Sequence, residues 1–176
     1  MKHLTAIALA VFLAIPSIAA AKVAAQSATG FVVEHKVDVK GDAKAAYDAF
    51  IKVGSWWSSS HSFSGDAKNL TIETKPGGCW CEALPDGGFV KHMEVIHAAP
   101  GSMLVFSGGL GPLQFMGVAG SMTVSFKPGK GVTTVTLRYD VGGRDDKNFE
   151  GISKGVDGVI AEQFARYANF ASNGKP

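Results

Sequence analysis

The sequence predicts an α+β fold: a curved antiparallel sheet of about seven strands wrapped around a long C-terminal helix, with one or two short helices after the first strand. Three observations predict it. From Phe31 to Val141, short runs of alternating apolar and polar residues are separated by Gly- and Pro-rich turns, the pattern of a strand meander. Only one short stretch of helical period interrupts them, after the first run. The chain then closes on a single apolar stripe at three- and four-residue steps, from Phe149 to Phe170.

The first 21 residues read as an export signal. Met1–His3 carries positive charge, Leu4 to Ile15 is apolar apart from Thr5, and Ala19–Ala21 suits cleavage. The apolar run is too short to span a bilayer, which needs about 20 residues. The expected product begins near Lys22 and is periplasmic or secreted, with no integral membrane span. Residues 22–30 lack a period and are expected to be a flexible lead-in. Residues 31–172 form one domain and 173–176 a tail.

Within the domain, Phe31, Val33, His35, Val37 and Val39 alternate with polar residues, so this is a half-buried strand. His35 on its apolar face is expected to be a satisfied interior group. Asp42 is placed to cap a helix over Ala43–Lys52, with Ala46, Tyr47, Phe50 and Ile51 on one side. Ser55–Ser60 is a candidate short helix carrying Trp56 and Trp57. Neighbours on a helix stand about 100° apart, so one tryptophan packs inward and the other lines an opening.

Leu70–Lys75, Cys79–Leu84, Phe89–His97 and Met103–Ser107 read as successive strands. Cys79, Cys81 and Ala83 oppose Trp80, Glu82 and Leu84. On the next strand Val90, His92, Glu94 and Ile96 share one face, against Phe89, Lys91, Met93, Val95 and His97. Gly108–Gln114 interrupts the sheet without the Lys-Ser/Thr of a phosphate loop, which suits the mouth of a cavity. Val118–Lys127 and Val132–Val141 form a hairpin. Gly155 and Gly158 mark a kink in the final helix or a close approach to the sheet, and Asn173–Gly174 stops it.

Net charge is +2 and the charges are scattered. Without a basic stripe, neither nucleic acid nor an anionic membrane is an expected partner. Two cysteines two residues apart on a strand point the same way, which suits a disulfide poorly. Cys79 and Cys81 are therefore expected to stay unbridged. With His61, His92 and Glu82 they could suggest zinc, but C-x-C spacing and the split of faces fall short of a structural site. No metal or cofactor is expected.

The Trp56–Trp57 pair, Gly77–Gly78 before Cys79–Trp80, the Val95-to-Leu104 passage with Pro100, and the closing helix with Val156–Val159, Glu162–Gln163 and Arg166 together carry a resemblance. So do HSFSGDAKNL, GGCWCE and GGLGPLQ. The chain resembles the SRPBCC superfamily of START-like and polyketide cyclase-like proteins over roughly Phe31 to Ala171. Within it, the chain is most similar to a bacterial subgroup related to the C-terminal domain of the heat-shock ATPase activator. The resemblance implies a helix-grip fold with a hydrophobic cavity between sheet and helix, and no shared catalytic residue.

The expected function is an exported protein that binds a hydrophobic or aromatic small molecule in that cavity. The candidate ligand-binding residues are Trp56, Trp57, His61, Trp80 and Glu82, with His92, Phe115, Tyr139 and Phe164. A cyclase, dehydrase or hydrolase using a His–carboxylate pair is the alternative, drawing on His61 or His92 with Glu73, Glu82 or Glu94. A protein-interaction domain of the ATPase-activator kind is the second alternative. No Ser-His-Asp order, G-x-S-x-G or H-E-x-x-H motif is present.

Overall fold

The computed structural model describes residues 22–144, 146 and 148–176. The export signal of residues 1–21 lies outside the described residues. Eight strands form one sheet: β1 Lys22–Ser27, β2 Gly30–Lys40, β3 Leu70–Ile72, β4 Cys79–Ala83, β5 Phe89–Ala99, β6 Met103–Ser107, β7 Ala119–Pro128 and β8 Val132–Gly142. Every pairing is antiparallel, in the order β1-β2-β8-β7-β6-β5-β4-β3. Helices α1, Ala43–Phe50, and α2, Phe149–Asn173, complete the fold. This is the helix-grip architecture: an open, curved sheet holding one long helix.

Residues 22–27 correct the expectation of a flexible lead-in. They form β1, with Val23 opposite Val33 and Gln26 opposite Phe31. An edge strand takes its hydrogen bonds from its neighbour and needs no alternation of its own. Gln26 is also tied to the helix, its Oε1 accepting from Ser153 Oγ at 3.1 Å.

Asp42 caps α1, accepting from the Ala45 N–H at 2.7 Å. The helix buries Ala46, Tyr47 and Phe50. Phe50 is the hub of the core: its ring lies 5.2–6.5 Å from those of Trp56, Trp80, Phe106, Phe126 and Tyr167. Two turns of 3₁₀ helix, Val53–Ser55 and Ser59–His61, then carry the chain across the end of the sheet.

The long helix is held from both sides. Asn148 caps its start through the Gly151 N–H, and Gly174 ends it at φ 76°, its N–H donating to Phe170 O. Arg166 Nε donates to Trp56 O, Tyr167 O–H to Ala46 O, and the Ser58 N–H to Gln163 Oε1, all within 2.7–2.8 Å. The helix runs unbroken through Gly155 and Gly158. A Cβ at either position would meet nothing within 4 Å, so neither glycine is there for close approach.

Three register slips interrupt the sheet, one of them between Val23 and Ala25 of β1, and another reverses a reading of the sequence. The register of β4 and β5 slips between Trp80 and Cys81, so Trp80 faces Met93, Cys81 faces Lys91, and His92 is the extra residue. A bulge turns consecutive side chains toward the same side. His92 and Met93 are accordingly both buried, at 5% and 1% exposure. The third slip, between Val95 and His97, leaves Ile96 on the surface.

Cys79 and Cys81 are also corrected. They form a disulfide, and the described residues hold no free cysteine. Their Cα atoms lie 5.4 Å apart, inside the range a disulfide needs. A flat strand separates positions i and i+2 by more than 6 Å. β4 is therefore contracted between the two cysteines, beside the register slip at Trp80/Cys81.

Candidate functional site

The site is a cavity of about 520 Å³ between α2 and the sheet, within the usual range for small-molecule pockets. Three segments enclose it. The start of α2 supplies Ile152, Gly155, Val156, Val159 and Ile160. The segment after α1 supplies Trp57 and Ser60–Phe63. The loop between β6 and β7 supplies Leu110–Leu113 and Met116. Leu70, Trp80, His92 and Tyr139 form the sheet side.

Burial marks where space remains. Ile160, Phe164 and Tyr167 of α2 are buried, whereas Ile152, Val156 and Val159 are only half-buried. The rim loop is held open by Tyr139. Its hydroxyl accepts from the Leu110 N–H and donates to Gly108 O, both at 2.9 Å. Burial pushes the phenol up to about 12, so it remains a donor. Gly120 is required beneath it: an added Cβ would stand 2.4 Å from Gly108 O and 2.7 Å from the Tyr139 ring.

His92 is the one buried imidazole of the lining. Its Nε2 lies 3.0 Å from Glu82 Oε2, with Glu82 fully buried. Glu82 also accepts from the Ser64 N–H. Burial works to raise the Glu82 pKa, but hydrogen bonds from Ser64, Phe63 and His92 outweigh it and hold the carboxyl below its usual range. Burial pushes His92 down, against the opposing pull of Glu82. The pair is thus an ionised carboxylate accepting from a neutral imidazole. His92 Nδ1 is buried without a partner. Phe63 stacks on the imidazole, centroids 5.8 Å apart.

Five of the nine residues singled out from the sequence line the cavity: Trp57, His61, Trp80, His92 and Tyr139. His61 stands at the rim, 3.1 Å from Glu162. Glu82 stands behind His92 rather than on the wall. Trp56 belongs to the core, its Nε1–H donated to Phe50 O at 3.1 Å. Phe164 is buried beyond the cavity, stacked on Tyr167. Phe115 is 74% exposed on the outside of the rim loop. The two tryptophans do divide the work, one in the core and one on the wall.

Sequence reasoning missed the helix side of the site. Gly155, Val156 and Val159 were legible as part of an apolar stripe. The signal available was the run of small side chains from Ile152 to Val159, between the aromatic residues at Phe149 and Phe164. Two further His–carboxylate pairs stand apart from His92: His61–Glu162 at the rim and His35–Asp157, 2.8 Å apart, between β2 and α2. Among the described residues no group of three or more His, Cys, Asp or Glu side chains converges as a metal site. None of the described helices is long and apolar enough to cross a membrane.

No protein-family profile matches the sequence, and no curated protein matches it. Solved structures do match the fold. A conserved protein of unknown function from Enterococcus faecalis, EF2215, superposes with a TM-score of 0.57 at 12% identity, over 84% of this chain and 75% of its own. DynU16, from the dynemicin biosynthetic locus, has TM-score 0.57 at 20% identity over 82% of this chain. The di-domain ARO/CYC StfQ of the steffimycin biosynthetic pathway has TM-score 0.57 at 13% identity, also over 82% of this chain. The match spans about half the length of these last two, 48% of DynU16 and 51% of StfQ. The helix-grip fold of the present chain is the one these proteins share.

Proposed function

We propose that this chain is an exported SRPBCC-type protein that binds a hydrophobic small molecule in the cavity between α2 and the sheet. The observation that carries the reading is the unfilled space of about 520 Å³, walled mainly by apolar side chains. Interiors normally pack to crystal density, so a void of this size in a core that is otherwise tightly packed calls for an occupant. The fold shared with proteins of biosynthetic loci supports the reading only by analogy. Export rests on the charged, apolar and small-residue succession of residues 1–21.

N-Phenyl-1-naphthylamine, a neutral apolar fluorophore, should bind with one-to-one stoichiometry and be displaced by the native ligand. Trp57→Ala should weaken it without unfolding the domain. Native mass spectrometry of protein from its own host would show a retained ligand directly. Absence of fluorophore binding by the folded protein would remove the reading. Intact-mass analysis of exported protein should find an amino terminus near Lys22; one still at Met1 would remove the export part.

The His92–Glu82 pair favours a second reading, an enzyme of the cyclase, dehydrase or hydrolase kind. A neutral imidazole backed by a carboxylate can take a proton from an enolisable ligand. Loss of turnover in His92→Gln with ligand affinity retained would favour it over binding alone.

A further inference from the structure

Away from the cavity, the outer face of β4 carries the Cys79–Cys81 bridge, with both cysteines half-buried and within reach of solvent. The bridge does little to hold the fold. One residue separates the two cysteines, so bridging removes little freedom from the unfolded chain. β4 is already fixed along both edges: Thr71 pairs with Cys81 on one side, and Glu94 with Cys79 and Lys91 with Cys81 on the other. The Glu73 N–H donates to Cys79 O, and the Val95 N–H to Gly78 O. Bridging also works against the strand, because positions i and i+2 of an extended chain stand farther apart than the 5.4 Å found here. A disulfide that the fold neither needs nor shields is the kind that exchanges with thiols.

The surroundings give that exchange a direction. Cys79 is paired with Glu94 and Cys81 with Lys91, and Lys91 Nζ donates to Glu94 Oε2 at 2.7 Å. A cation beside a sulfur favours its thiolate, and an anion disfavours it. From this we infer that the bridge is a thiol–disulfide exchange site that oxidises a thiol, with Cys79 the sulfur attacked and Cys81 the sulfur that leaves. An incoming thiolate bonds to Cys79 Sγ. The Cys79–Cys81 bond breaks, and its electron pair goes to Cys81 Sγ as a thiolate on the Lys91 side. A second thiolate then attacks the substrate sulfur of the mixed disulfide and releases Cys79 as a thiolate. Two thiols thus leave as one disulfide, and their two protons and two electrons remain on the protein as two cysteine thiols. The donor is a thiol from either of two sources, a small molecule or the dithiol of a protein, since an open sheet face admits both. The cavity takes no part, so the inference stands independently of the ligand reading.

The test begins with the folded, oxidised protein at neutral pH. It is mixed with millimolar glutathione or, at the same thiol concentration, with a synthetic peptide carrying a C-x-x-C dithiol. Both cysteines should become open to N-ethylmaleimide while the circular dichroism spectrum holds. A peptide at least about tenfold faster than glutathione assigns the donor as a protein dithiol, and comparable rates assign it as a small thiol. The direction is read from the reduced protein under limiting iodoacetamide, followed by peptide mapping. Cys81 should label about threefold faster than Cys79, the scale of an exposed charge pair. Exchanging the two charges, Lys91→Glu with Glu94→Lys, keeps the ion pair and should invert that order. A bridge that resists both donors until the protein unfolds would overturn the inference. Equal labelling of the two thiols, or an order that the exchange of charges leaves unchanged, would overturn it too.

Discussion

Helix α2 meets the same sheet along its whole length, yet its two halves do different things there. Toward the C-terminus, Tyr167 packs against Phe50, Trp56 and Phe164, and Trp56 in turn against Trp80. Toward the N-terminus, Ile152, Gly155, Val156 and Val159 face open space. The backbone is the same continuous helix in both halves, capped at each end. The difference thus lies in what the side chains meet, and it teaches that a cavity of this kind needs no special backbone. One half is packed among rings, and the other leaves a cavity open beside it.

Truncation should expose that division most strongly. Phe50→Ala opens a hole among five rings and should cost about 3–5 kcal/mol in urea unfolding. Val156→Ala, at the hollow end, should cost less than about 1.5 kcal/mol because little packs against it. Equal losses at the two sites would break the comparison.

The disulfide comes next. It closes a loop of only one intervening residue, so chain entropy credits it with about 2 kcal/mol at most. Cys79→Ser with Cys81→Ser should lower stability by no more than that. Its larger effect should fall on ligand affinity, because the bulge beside it is what turns His92 inward.

Acid should attack the cavity wall before the filled end. His92 has its folded pKa lowered by burial, so below the ordinary 6.5 the unfolded chain binds the extra proton first. Its contribution is complete above pH 6.5 and is lost as the pH falls toward the lowered value. Glu82, also lowered, adds a second loss below 4.5. Each step has a slope of up to about 1.4 kcal/mol per pH unit. Melting curves between pH 7.5 and 4 should show both, and His92→Gln should remove the first. Unchanged acid sensitivity in that variant would place the titrating group elsewhere.

The smallest change in stability should come from Gly155→Leu. It removes a helix-weakening glycine, a gain of up to about 1 kcal/mol, and fills the mouth from a position with no neighbour within 4 Å. Fluorophore affinity should fall at least about tenfold, a factor equivalent to 1.4 kcal/mol, while the melting temperature holds or rises. A folded variant that binds as before would show that the helix side is not the wall of the site.

Much of this was legible in the sequence, for physical reasons that also explain the rest. Alternation identified β2, β7 and β8, where long regular ladders leave each side chain on its expected face. The stripe of α2 and the Asp42 cap are local signals and were read as they stand. Glu82 could be placed beside Trp80 because β4 alternates through both. His92 could not, since a bulge shifts the register by one residue and leaves no mark in the pattern of its own strand. The Cys79–Cys81 bridge looked unreachable because the contraction of β4 between them leaves no mark in the sequence either. The strand at 22–27 is set by its partner and by Ser153, groups that local periodicity does not see. Phe115 and Phe164 are aromatic residues near the cavity that do not line it. Identity alone cannot tell a wall from its outer surface.

The bridge between Cys79 and Cys81 lies on the half-buried outer face of β4, while Trp80 and Glu82 project from the same strand into the interior. A sheet is one strand thick. Whatever the surroundings do to those two sulfur atoms is therefore done to a lever whose other arm holds Trp80 against the ligand space and Glu82 against His92. A reductant too large or too polar to enter the cavity can still reach its wall from behind. Thiol chemistry in solution and occupancy within the protein thereby become two readings of a single strand.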